Sequence, residues 1–358
     1  MSMQKELWKG NEAIAEAAIR AGCQAYFGYP ITPQNEIPEY MSRRMPQAGG
    51  VFVQAESEIA AINMVYGASA VGVRAMTSSS SPGISLKQEG ISYLVGANLP
   101  AVIVNMMRGG PGLGTIQPGQ ADYFQATRSP GHGDGHMIVL APASIQEAVD
   151  LMWDAFALAD QYLTPVMVLA DGMIGQMMEP ISWKRDQPLP EVDKPWAADG
   201  RDGDGKTHFV TSLRLKSADN ERFVQDLAQR YRQIQENEVR YEATDCENAE
   251  IIIAAFGTTA RIASTAVRQL RADGVKAGLF RPITVWPYPD QALRQLVLQD
   301  SVKAVLTVEM NLGQMHEDVR LAVRGDKPTP FYGRTGGMVP EPRDIARAAQ
   351  EALQEVSE

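Results

Sequence analysis

The sequence of 358 residues has only two cysteines, Cys23 and Cys246, and they stand far apart. A disulfide framework is therefore not expected. An iron–sulfur cluster normally takes four thiolate ligands, so this chain alone cannot hold one. Histidine is also scarce, with four in all, and only His132 and His136 are close together. They lie in a glycine-rich stretch, which favours a plain loop over a metal site.

The chain also lacks an excess of positive charge and any long apolar run. It has 33 Lys and Arg against 43 Asp and Glu, a formal net charge of −10. Nucleic acid is not expected as a partner, because phosphate binding needs a basic surface. No run approaches the roughly 20 apolar residues that span a bilayer, and the first residues lack the apolar core of a signal peptide. We therefore expect a cytoplasmic location and no membrane partner.

What is present indicates a packed globular protein, with 44% hydrophobic and 21% charged residues. At about 150 residues per domain, the length predicts two domains. Strand-like and helix-like segments alternate over residues 1–180, which predicts a doubly wound α/β domain. Residues 181–247 break the alternation with prolines and a charged helix, and we interpret them as a linker. The alternation resumes over residues 248–358, which predicts a second, smaller α/β domain.

Polar residues follow four predicted strands of the first domain. Thr32, Glu58, the Ser78–Gly83 segment and Arg108 each come just after such a strand. The Ser78–Gly83 segment is predicted to be a loop. In doubly wound sheets, functional groups gather at the carboxyl ends of the strands. The sequence therefore predicts a site at that edge.

Each of these residues also has a simpler interpretation. An acid in the first turn of a helix, such as Glu58, offsets the helix dipole, and on that stretch alone this is the commoner role. Thr32 before Pro33 is typical of an ordinary helix N-cap. Arg108 is either a surface residue in a turn or a bidentate ligand of a carboxylate or phosphate.

Two further motifs are discounted. The Gly110–Gly114 segment follows a strand as a dinucleotide-binding loop does, but its spacing is GxGxG rather than GxGxxG. Pro118 also interrupts the helix that such a loop requires. Lys87 lacks the preceding glycine-rich loop of a phosphate-binding lysine.

Five segments together resemble the alpha subunit of thiamine-diphosphate-dependent 2-oxoacid:ferredoxin oxidoreductases, most of all the branched-chain (2-oxoisovalerate) type. The segments are GYPITPQNEIPEYM from residue 28, VQAESEIAAINMVYGAS from 53, MTSSSSPGISLKQEG from 76, PAVIVNMMRGGPG from 100 and GLFRPITVWPYP from 278. The resemblance covers nearly the whole chain. It implies a doubly wound pyrimidine-binding domain over residues 1–180 and a transketolase-C-like α/β domain over residues 248–358.

The resemblance also implies roles for individual residues. Glu58 matches the glutamate that hydrogen-bonds the pyrimidine ring nitrogen of thiamine diphosphate. Thr32 matches a threonine near the substrate, and Arg108 matches the arginine that meets the substrate carboxylate. The implied cofactor-binding set further includes Pro30, Ile31, Ser80 and Ser81. The implied reaction is oxidative decarboxylation of a 2-oxoacid to acyl-coenzyme A and CO₂, with electrons passed to ferredoxin.

The rest of the implied active site belongs to other chains. The Mg²⁺ motif of thiamine enzymes is Gly-Asp-Gly followed by Asn, but Gly133–Gly135 has no Asn near 160–165 and Gly203–Gly205 lies in the linker. The resemblance implies a beta subunit with the diphosphate–Mg²⁺ domain and a [4Fe-4S] cluster, together with gamma and ferredoxin-like delta subunits. The open alternatives are a 2-oxoglutarate or aryl 2-oxoacid enzyme, a non-catalytic scaffold subunit, and a pyridine-nucleotide enzyme.

Overall fold

The structure is a computed structural model that describes residues 5–128, 130–185, 187–200 and 207–357. The Gly203–Gly205 segment lies outside these residues. The described strands are β1 (Glu6–Lys9), β2 (Ala25–Gly28), β3 (Val51–Gln54), β4 (Ala75–Ser79), β5 (Ala101–Met107), β6 (Ile138–Leu140), β7 (Pro165–Asp171), β8 (Met178–Ile181), β9 (Tyr241–Thr244), β10 (Ile251–Ala254), β11 (Ala277–Pro282), β12 (Thr284–Trp286), β13 (Ala304–Glu309) and β14 (Phe331–Gly333). The described helices are α1 (Gly10–Ala21), α2 (Glu36–Gln47), α3 (Glu58–Ala70), α4 (Ser81–Gly96), α5 (Tyr123–Thr127), α6 (Ile145–Tyr162), α7 (Gly172–Gln176), α8 (Ser217–Asn237), α9 (Gly257–Ala272), α10 (Asp290–Val297), α11 (Gln314–Val323) and α12 (Pro342–Ser357).

Within the described residues, seven strands form the first sheet, in the order β3-β2-β4-β5-β7-β6-β12. All neighbours are parallel except β12, which runs antiparallel to β6. The chain passes from β2 outward to the edge strand β3 and then returns to β4 on the other side of β2. This reversal is a topological switch point, and the carboxyl ends of β2 and β4 flank the crevice that it opens.

Helices cover both faces of the first sheet, which confirms the predicted doubly wound fold class. The helix α1 packs against α2 and α6, whereas α3 and α4 pack against each other. The central strand β5 is buried along its whole length, as its apolar run predicts. Among the helices that the structure describes, none is long and apolar enough to cross a membrane.

In the same described part of the chain, a second sheet has the strand order β14-β13-β10-β11-β9. Its strands are parallel except β9, which pairs antiparallel with β11. The helices α9 and α12 pack together, as do α10 and α11. One apolar cluster contains residues from both sheets, including Ile103 of β5, Ile252 of β10 and Phe280 of β11. The two sheets therefore share a continuous core.

Two strands cross the predicted domain bounds. The strand β9 lies within the predicted linker of residues 181–247 but belongs to the second sheet, and β12 lies within residues 248–358 but extends the first sheet. Arg281 of β11 reinforces this connection, because its guanidinium donates to Glu147 of α6 at 2.8 and 2.9 Å and also contacts Glu242 of β9. The two sheets are thus connected by β12, which the second domain contributes to the first sheet, and by Arg281.

The segment after β8 is anchored on the first sheet. The buried Arg74 donates to Asp160 of α6 at 2.7 Å and to the Leu189 carbonyl at 3.0 Å. Lys194 also pairs with Asp160, at 3.2 Å. These contacts fix the proline-containing stretch against the surface, and the charged helix α8 follows it.

Glycine allows α3 and α4 to approach closely. A Cβ added at Gly90 of α4 would lie 2.5 Å from Ile62 Cγ2 and 2.7 Å from Ile62 Cγ1. Ile62 is buried and, being β-branched, has little rotamer freedom in a helix. Close packing at this point therefore requires glycine.

We expect Gly90→Ala to destabilise the protein by about 1–3 kcal/mol, because the added methyl group overpacks the α3–α4 interface. The measurement is the free energy of unfolding in denaturant. Gly67→Ala is the matched control, since Gly67 is an exposed residue of α3 whose added Cβ meets nothing within 4 Å. That control is expected to be neutral or stabilising. Equal stability of the two variants would contradict the assigned contact.

Candidate functional site

Four predicted site segments follow neighbouring strands of the first sheet. The strands β2 and β3 pair with Gly28 opposite Gln54, and β4 and β5 pair with Ser79 opposite Asn105. Thr32 and Glu58 each stand four residues beyond the ends of β2 and β3. The ends of β4 and β5 lead directly into the serines of α4 and into Arg108. The fold therefore places these side chains at one edge, around the switch point.

Glu58 is the first residue of α3, but it does not cap that helix. Ser57 is the N-cap, and its hydroxyl accepts a hydrogen bond from the Ala60 amide at 3.1 Å. The Glu58 side chain is only 6% exposed, and it makes no hydrogen bond to any residue that the structure describes. A buried carboxylate without such partners is costly. Glu58 does lie in the first turn of α3, as the helix-dipole interpretation expects, but Ser57 and not Glu58 caps the helix.

The carboxylate of Glu58 is cradled by the start of α4. A Cβ at Gly83 would collide with Ser79 Oγ and lie 2.6 Å from Glu58 Oε1. The hydroxyls of Ser79 and Ser80 are buried and have no hydrogen-bond partner in the described structure. The site thus combines one carboxylate and two hydroxyls whose hydrogen-bonding capacity is unused.

The predicted loop Ser78–Gly83 is not a loop. The strand β4 runs to Ser79, Ser80 is the N-cap position, and α4 begins at Ser81. Pro82 is compatible with this because a proline in the first helical turn removes no intrahelical hydrogen bond. The strand therefore passes into the helix with only Ser80 between them, and this short link fixes the backbone of the serines.

Arg108 and Thr32 are in contact. One guanidinium nitrogen of Arg108 donates to the Thr32 carbonyl at 2.9 Å, and the other donates to the Leu113 carbonyl at 3.3 Å. The Arg108 Nε is buried without a partner among the described residues. The Arg108 amide donates to Ser81 Oγ at 3.0 Å. Arg108 therefore connects the turn after β2, the start of α4 and the glycine-rich segment.

Thr32 is not a helix N-cap, contrary to the simpler interpretation. The helix α2 begins at Glu36, Asn35 precedes it, and the Thr32–Pro33 peptide is cis. The turn is instead held by Gln34, which is fully buried. Ser78 Oγ donates to the Gln34 amide oxygen and lies 2.6 Å from the Tyr26 hydroxyl. Sequence reasoning missed Gln34, since nothing marks it beyond its place in the turn.

The turn opens onto a cleft of about 480 Å³. Thr32 lines this cleft together with Glu36, Gly172 and Gln176. Pro30 is exposed, and Ile31 is partly buried. Glu58 and Arg108 do not line the cleft. In this chain the predicted residues therefore form a connected row, from Glu58 through the serines to Arg108 and the turn, rather than one enclosed pocket.

Lys87 is a residue of this site that the sequence reasoning discounted. It is fully buried, and its Nζ donates to Thr77 Oγ1 at 3.1 Å. Burial lowers the pKa of Lys87 to about 8, and the nearby negative charge of Glu58 opposes that shift. A signal was available in the sequence. Lys87 stands in helical register with Ile84, Ile91 and Leu94, which places it on the core-facing side of α4.

Asp122 was also missed. Its carboxylate accepts hydrogen bonds from Ser81 at 2.6 Å and from Asn105 at 2.9 Å. Burial raises the pKa of Asp122, while these two hydrogen bonds and the charge of Arg108 oppose the shift. Asp122 therefore fixes Ser81 and the end of β5. It lies in an irregular segment, so no periodic pattern could have indicated it.

The Gly110–Gly114 segment contacts Arg108 through the Leu113 carbonyl, but within the described residues it lacks the helix that a dinucleotide-binding loop needs. The Gly110–Gly114 loop is followed in the described structure by no helix before the five-residue α5. The His136 ring stacks on Trp286 with centroids 4.7 Å apart. Within the described ranges, no cluster of three or more His, Cys, Asp or Glu side chains has the arrangement of a metal site.

Two family profiles match this doubly wound α/β chain. The thiamine-diphosphate-binding domain of pyruvate flavodoxin/ferredoxin oxidoreductases matches residues 16–253, and core domain II of pyruvate:ferredoxin oxidoreductase matches residues 249–345. The chain therefore belongs to the thiamine-diphosphate-dependent 2-oxoacid:ferredoxin oxidoreductase family, and the resemblance stated from the sequence is confirmed.

Named relatives cover almost the whole chain. The ketoisovalerate oxidoreductase subunit VorB of Methanothermobacter marburgensis is 50% identical over 98% of this chain and 98% of its own length. The 2-oxoglutarate synthase subunit KorA of Archaeoglobus fulgidus is 38% identical over 92% of this chain and 95% of its own. Both relatives are named as subunits, so the chain is one subunit of a multi-subunit oxidoreductase.

Solved structures agree on the fold. The 2-oxoglutarate:ferredoxin oxidoreductase from Magnetococcus marinus, solved with 2-oxoglutarate, coenzyme A and succinyl-CoA bound, matches with a TM-score of 0.85 and 26% identity. The match covers 98% of this chain and 66% of that one. A split-gene transketolase, described as an inactive beta4 tetramer, matches with a TM-score of 0.60 at 15% identity, which shows the fold alone.

We expect Gly83→Ala to weaken thiamine diphosphate binding by about tenfold or more, because the new methyl group displaces the Glu58 carboxylate. The measurement is a titration of the cofactor-depleted complex with thiamine diphosphate and Mg²⁺. Gly67→Ala on α3 serves as the control and is expected to bind normally. Wild-type affinity in the Gly83→Ala complex would show that the cradle is not part of the binding site.

Proposed function

We propose that this chain is the alpha subunit of a branched-chain 2-oxoacid:ferredoxin oxidoreductase and supplies the pyrimidine half of its thiamine diphosphate site. The observation that carries the proposal is the buried Glu58 carboxylate, held against Gly83 with its hydrogen-bonding capacity unused. The proposed reaction converts a 2-oxoacid to acyl-coenzyme A and CO₂ and passes the electrons to ferredoxin. In the proposed complex, residues 1–180 bind the pyrimidine, 181–247 connect, and 248–358 form the transketolase-C-like domain.

The donor set fits the pyrimidine ring of thiamine diphosphate. That ring offers a ring nitrogen and an amino group. The site offers the buried Glu58 carboxylate and the hydroxyls of Ser79 and Ser80, and these two hydroxyls have no partner among the described residues. When bound, thiamine diphosphate supplies the electron sink for the loss of CO₂ from a 2-oxoacid. In the proposal, Glu58 holds the ring nitrogen, Ser80 and Ser81 form the wall beside it, and Pro30 and Ile31 form the exposed side of the turn.

Arg108 and Thr32 are proposed to receive the substrate carboxylate. Arg108 has five N–H donors, and its hydrogen bonds to Thr32 and Leu113 leave others, including the buried Nε, without a partner in the described chain. Its contact with the Thr32 carbonyl keeps both residues together on one side of the switch point. A guanidinium held in this way is preorganised for a carboxylate.

The remaining parts of the active site are assigned to partners. We propose that a beta subunit carries the diphosphate and Mg²⁺ site and a [4Fe-4S] cluster, and that gamma and ferredoxin-like delta subunits complete the complex. The names of the relatives as subunits support this arrangement. The scarcity of thiolates supports it too, since the chain has two cysteines and both are buried.

Identity favours a branched-chain substrate over 2-oxoglutarate. Two ketoisovalerate oxidoreductase subunits are 50% and 48% identical to this chain, whereas the 2-oxoglutarate synthase and oxidoreductase subunits named KorA range from 29% to 39%. The full-length coverage of the first two relatives adds weight. The proposed substrate is therefore a 2-oxoacid with a branched alkyl chain.

We expect Glu58→Gln to lower turnover by about 100-fold and thiamine diphosphate affinity by about tenfold, because an amide replaces the charged acceptor. The assembled complex is assayed with a 2-oxoacid, coenzyme A and a viologen acceptor. Glu56→Gln is the matched control, since Glu56 lies two residues earlier and is exposed. Undiminished turnover in Glu58→Gln would refute the catalytic assignment and favour a scaffold subunit.

The substrate class is tested separately with the unmodified complex. We expect kcat/KM for 2-oxoisovalerate to exceed that for 2-oxoglutarate by about tenfold or more, because a site for an alkyl chain leaves the second carboxylate of 2-oxoglutarate unpaired. An aryl 2-oxoacid completes the panel. A preference for 2-oxoglutarate or the aryl substrate would overturn the branched-chain assignment while leaving the family unchanged.

A further inference from the structure

One face of α4 brings Lys87 against the helix that carries Glu58. Gly83, Lys87 and Gly90 are spaced four and three residues apart, so they lie on one side of α4. Gly83 meets Glu58, and Gly90 meets Ile62, which is one turn further along α3. Lys87 lies between these two contacts. Its side chain is therefore enclosed at the α3–α4 interface, at the same end as Glu58.

An ammonium in this position needs compensation. Lys87 is fully buried, and burying a charged amine without partners is strongly unfavourable. One N–H of the ammonium donates to Thr77 Oγ1 at 3.1 Å. The negative charge of Glu58 is the further compensation, and it acts on Lys87 through space. Each charge thus reduces the cost of burying the other.

Other charged groups near α4 are engaged elsewhere. Asp122 accepts from Ser81 and Asn105 at the start of α4. Glu89 points outward and accepts from Tyr93, and Glu56 is exposed before α3. The arginine at the end of β5 donates to the turn after β2. Tyr26 of β2 is neutral and bonded to a serine hydroxyl. Within the described structure, Glu58 is the acid whose charge acts on Lys87.

The two groups do not form a direct ion pair in the described structure, and this matters for function. If the carboxylate were in contact with Lys87, its oxygens would be occupied by hydrogen bonds from the ammonium. Here Glu58 acts on Lys87 through space, and both side chains are buried, where electrostatic interactions are stronger than in water. The oxygens of Glu58 remain available for a ligand.

We propose that Lys87 is a positioning residue whose charge orients the Glu58 carboxylate toward the pyrimidine ring nitrogen of thiamine diphosphate. This inference rests on the proposed function of Glu58. Lys87 itself touches neither cofactor nor substrate. Its contribution is the charge that it holds behind the carboxylate.

The test removes the charge of Lys87 in the assembled complex. The first variant is Lys87→Met, and Lys87→Gln is a second neutral variant. Burial lowers the pKa of Lys87 to about 8, so its charge is lost as the pH rises through that value. The wild-type affinity for thiamine diphosphate is therefore expected to fall above about pH 8, and both neutral variants are expected to lack this pH dependence. Their affinity at neutral pH falls by about tenfold. Affinity is measured by titrating the cofactor-depleted complex between pH 6 and 9. Lys303→Met, which removes an exposed lysine of the second domain, is the control.

A double-mutant cycle separates this role from a purely structural one. In the Glu58→Gln background there is no carboxylate for the charge of Lys87 to act on, so adding Lys87→Met is expected to change thiamine diphosphate affinity by less than about twofold. A structural role for Lys87 would give the same loss in both backgrounds and leave the pH dependence unchanged. Either of those two results overturns the inference.

The cycle also distinguishes the two proposals. If Glu58→Gln alone leaves affinity and turnover unchanged, the proposed function of Glu58 fails, and the inference about Lys87 fails with it. If Glu58→Gln is impaired but both Lys87 variants keep the wild-type pH dependence, only the role of Lys87 is wrong. If Lys87→Met does not assemble, Lys87→Gln supplies the same comparison.

Discussion

The candidate site depends on a buried carboxylate, Glu58, which forms no direct ion pair within the described structure. Burying a carboxylate is unfavourable unless hydrogen bonds or opposite charge offset the cost. In this chain Ser57 caps α3, so the Glu58 carboxylate is not used as the helix cap. Gly83 lets α4 approach the carboxylate, and the enclosed Lys87 supplies positive charge from one side. The other side is left for a ligand.

The sheet explains why these groups meet. The chain goes from β2 to β3 on one side and then to β4 on the other side of β2. A crevice therefore opens between the carboxyl ends of β2 and β4. The abrupt passage from β4 into α4 places three serines there without a flexible loop. Arg108 then binds the turn after β2 to the start of α4. These residues form an open row along one edge of the sheet, and in the proposed function another subunit closes the site.

Much of this arrangement could be predicted, because it follows from local patterns. Apolar runs such as Ala101–Met107 mark buried parallel strands. The doubly wound class then places the functional groups at the carboxyl ends of those strands. The row of polar residues after those strands was visible for the same reason. The strands β9 and β12 were not, because each is short and its partner is distant in sequence, so pairing is decided by tertiary packing.

The errors within the site have the same origin. Thr32 has the local chemistry of a helix cap, but Gln34 pulls the turn onto β4 and the helix starts later. Lys87 was judged by the motif that precedes it rather than by its helical register, which placed it in the core. Asp122 depends on contacts with Ser81 and Asn105 that only the folded chain brings together. Local patterns identify elements and edges, whereas buried charge pairing is a property of the assembled core.

The pairing of β12 with the first sheet has a consequence for biosynthesis. The strand β6 borders the first sheet until Thr284–Trp286 arrives, and that strand is made only after the linker and most of the second sheet. During translation the nascent sheet therefore carries an open flank of unpaired amides and carbonyls, the feature that invites pairing with a neighbouring chain. The first sheet is complete only after β12 of the second domain has been synthesised. The two domains are therefore expected to fold together rather than one after the other during translation.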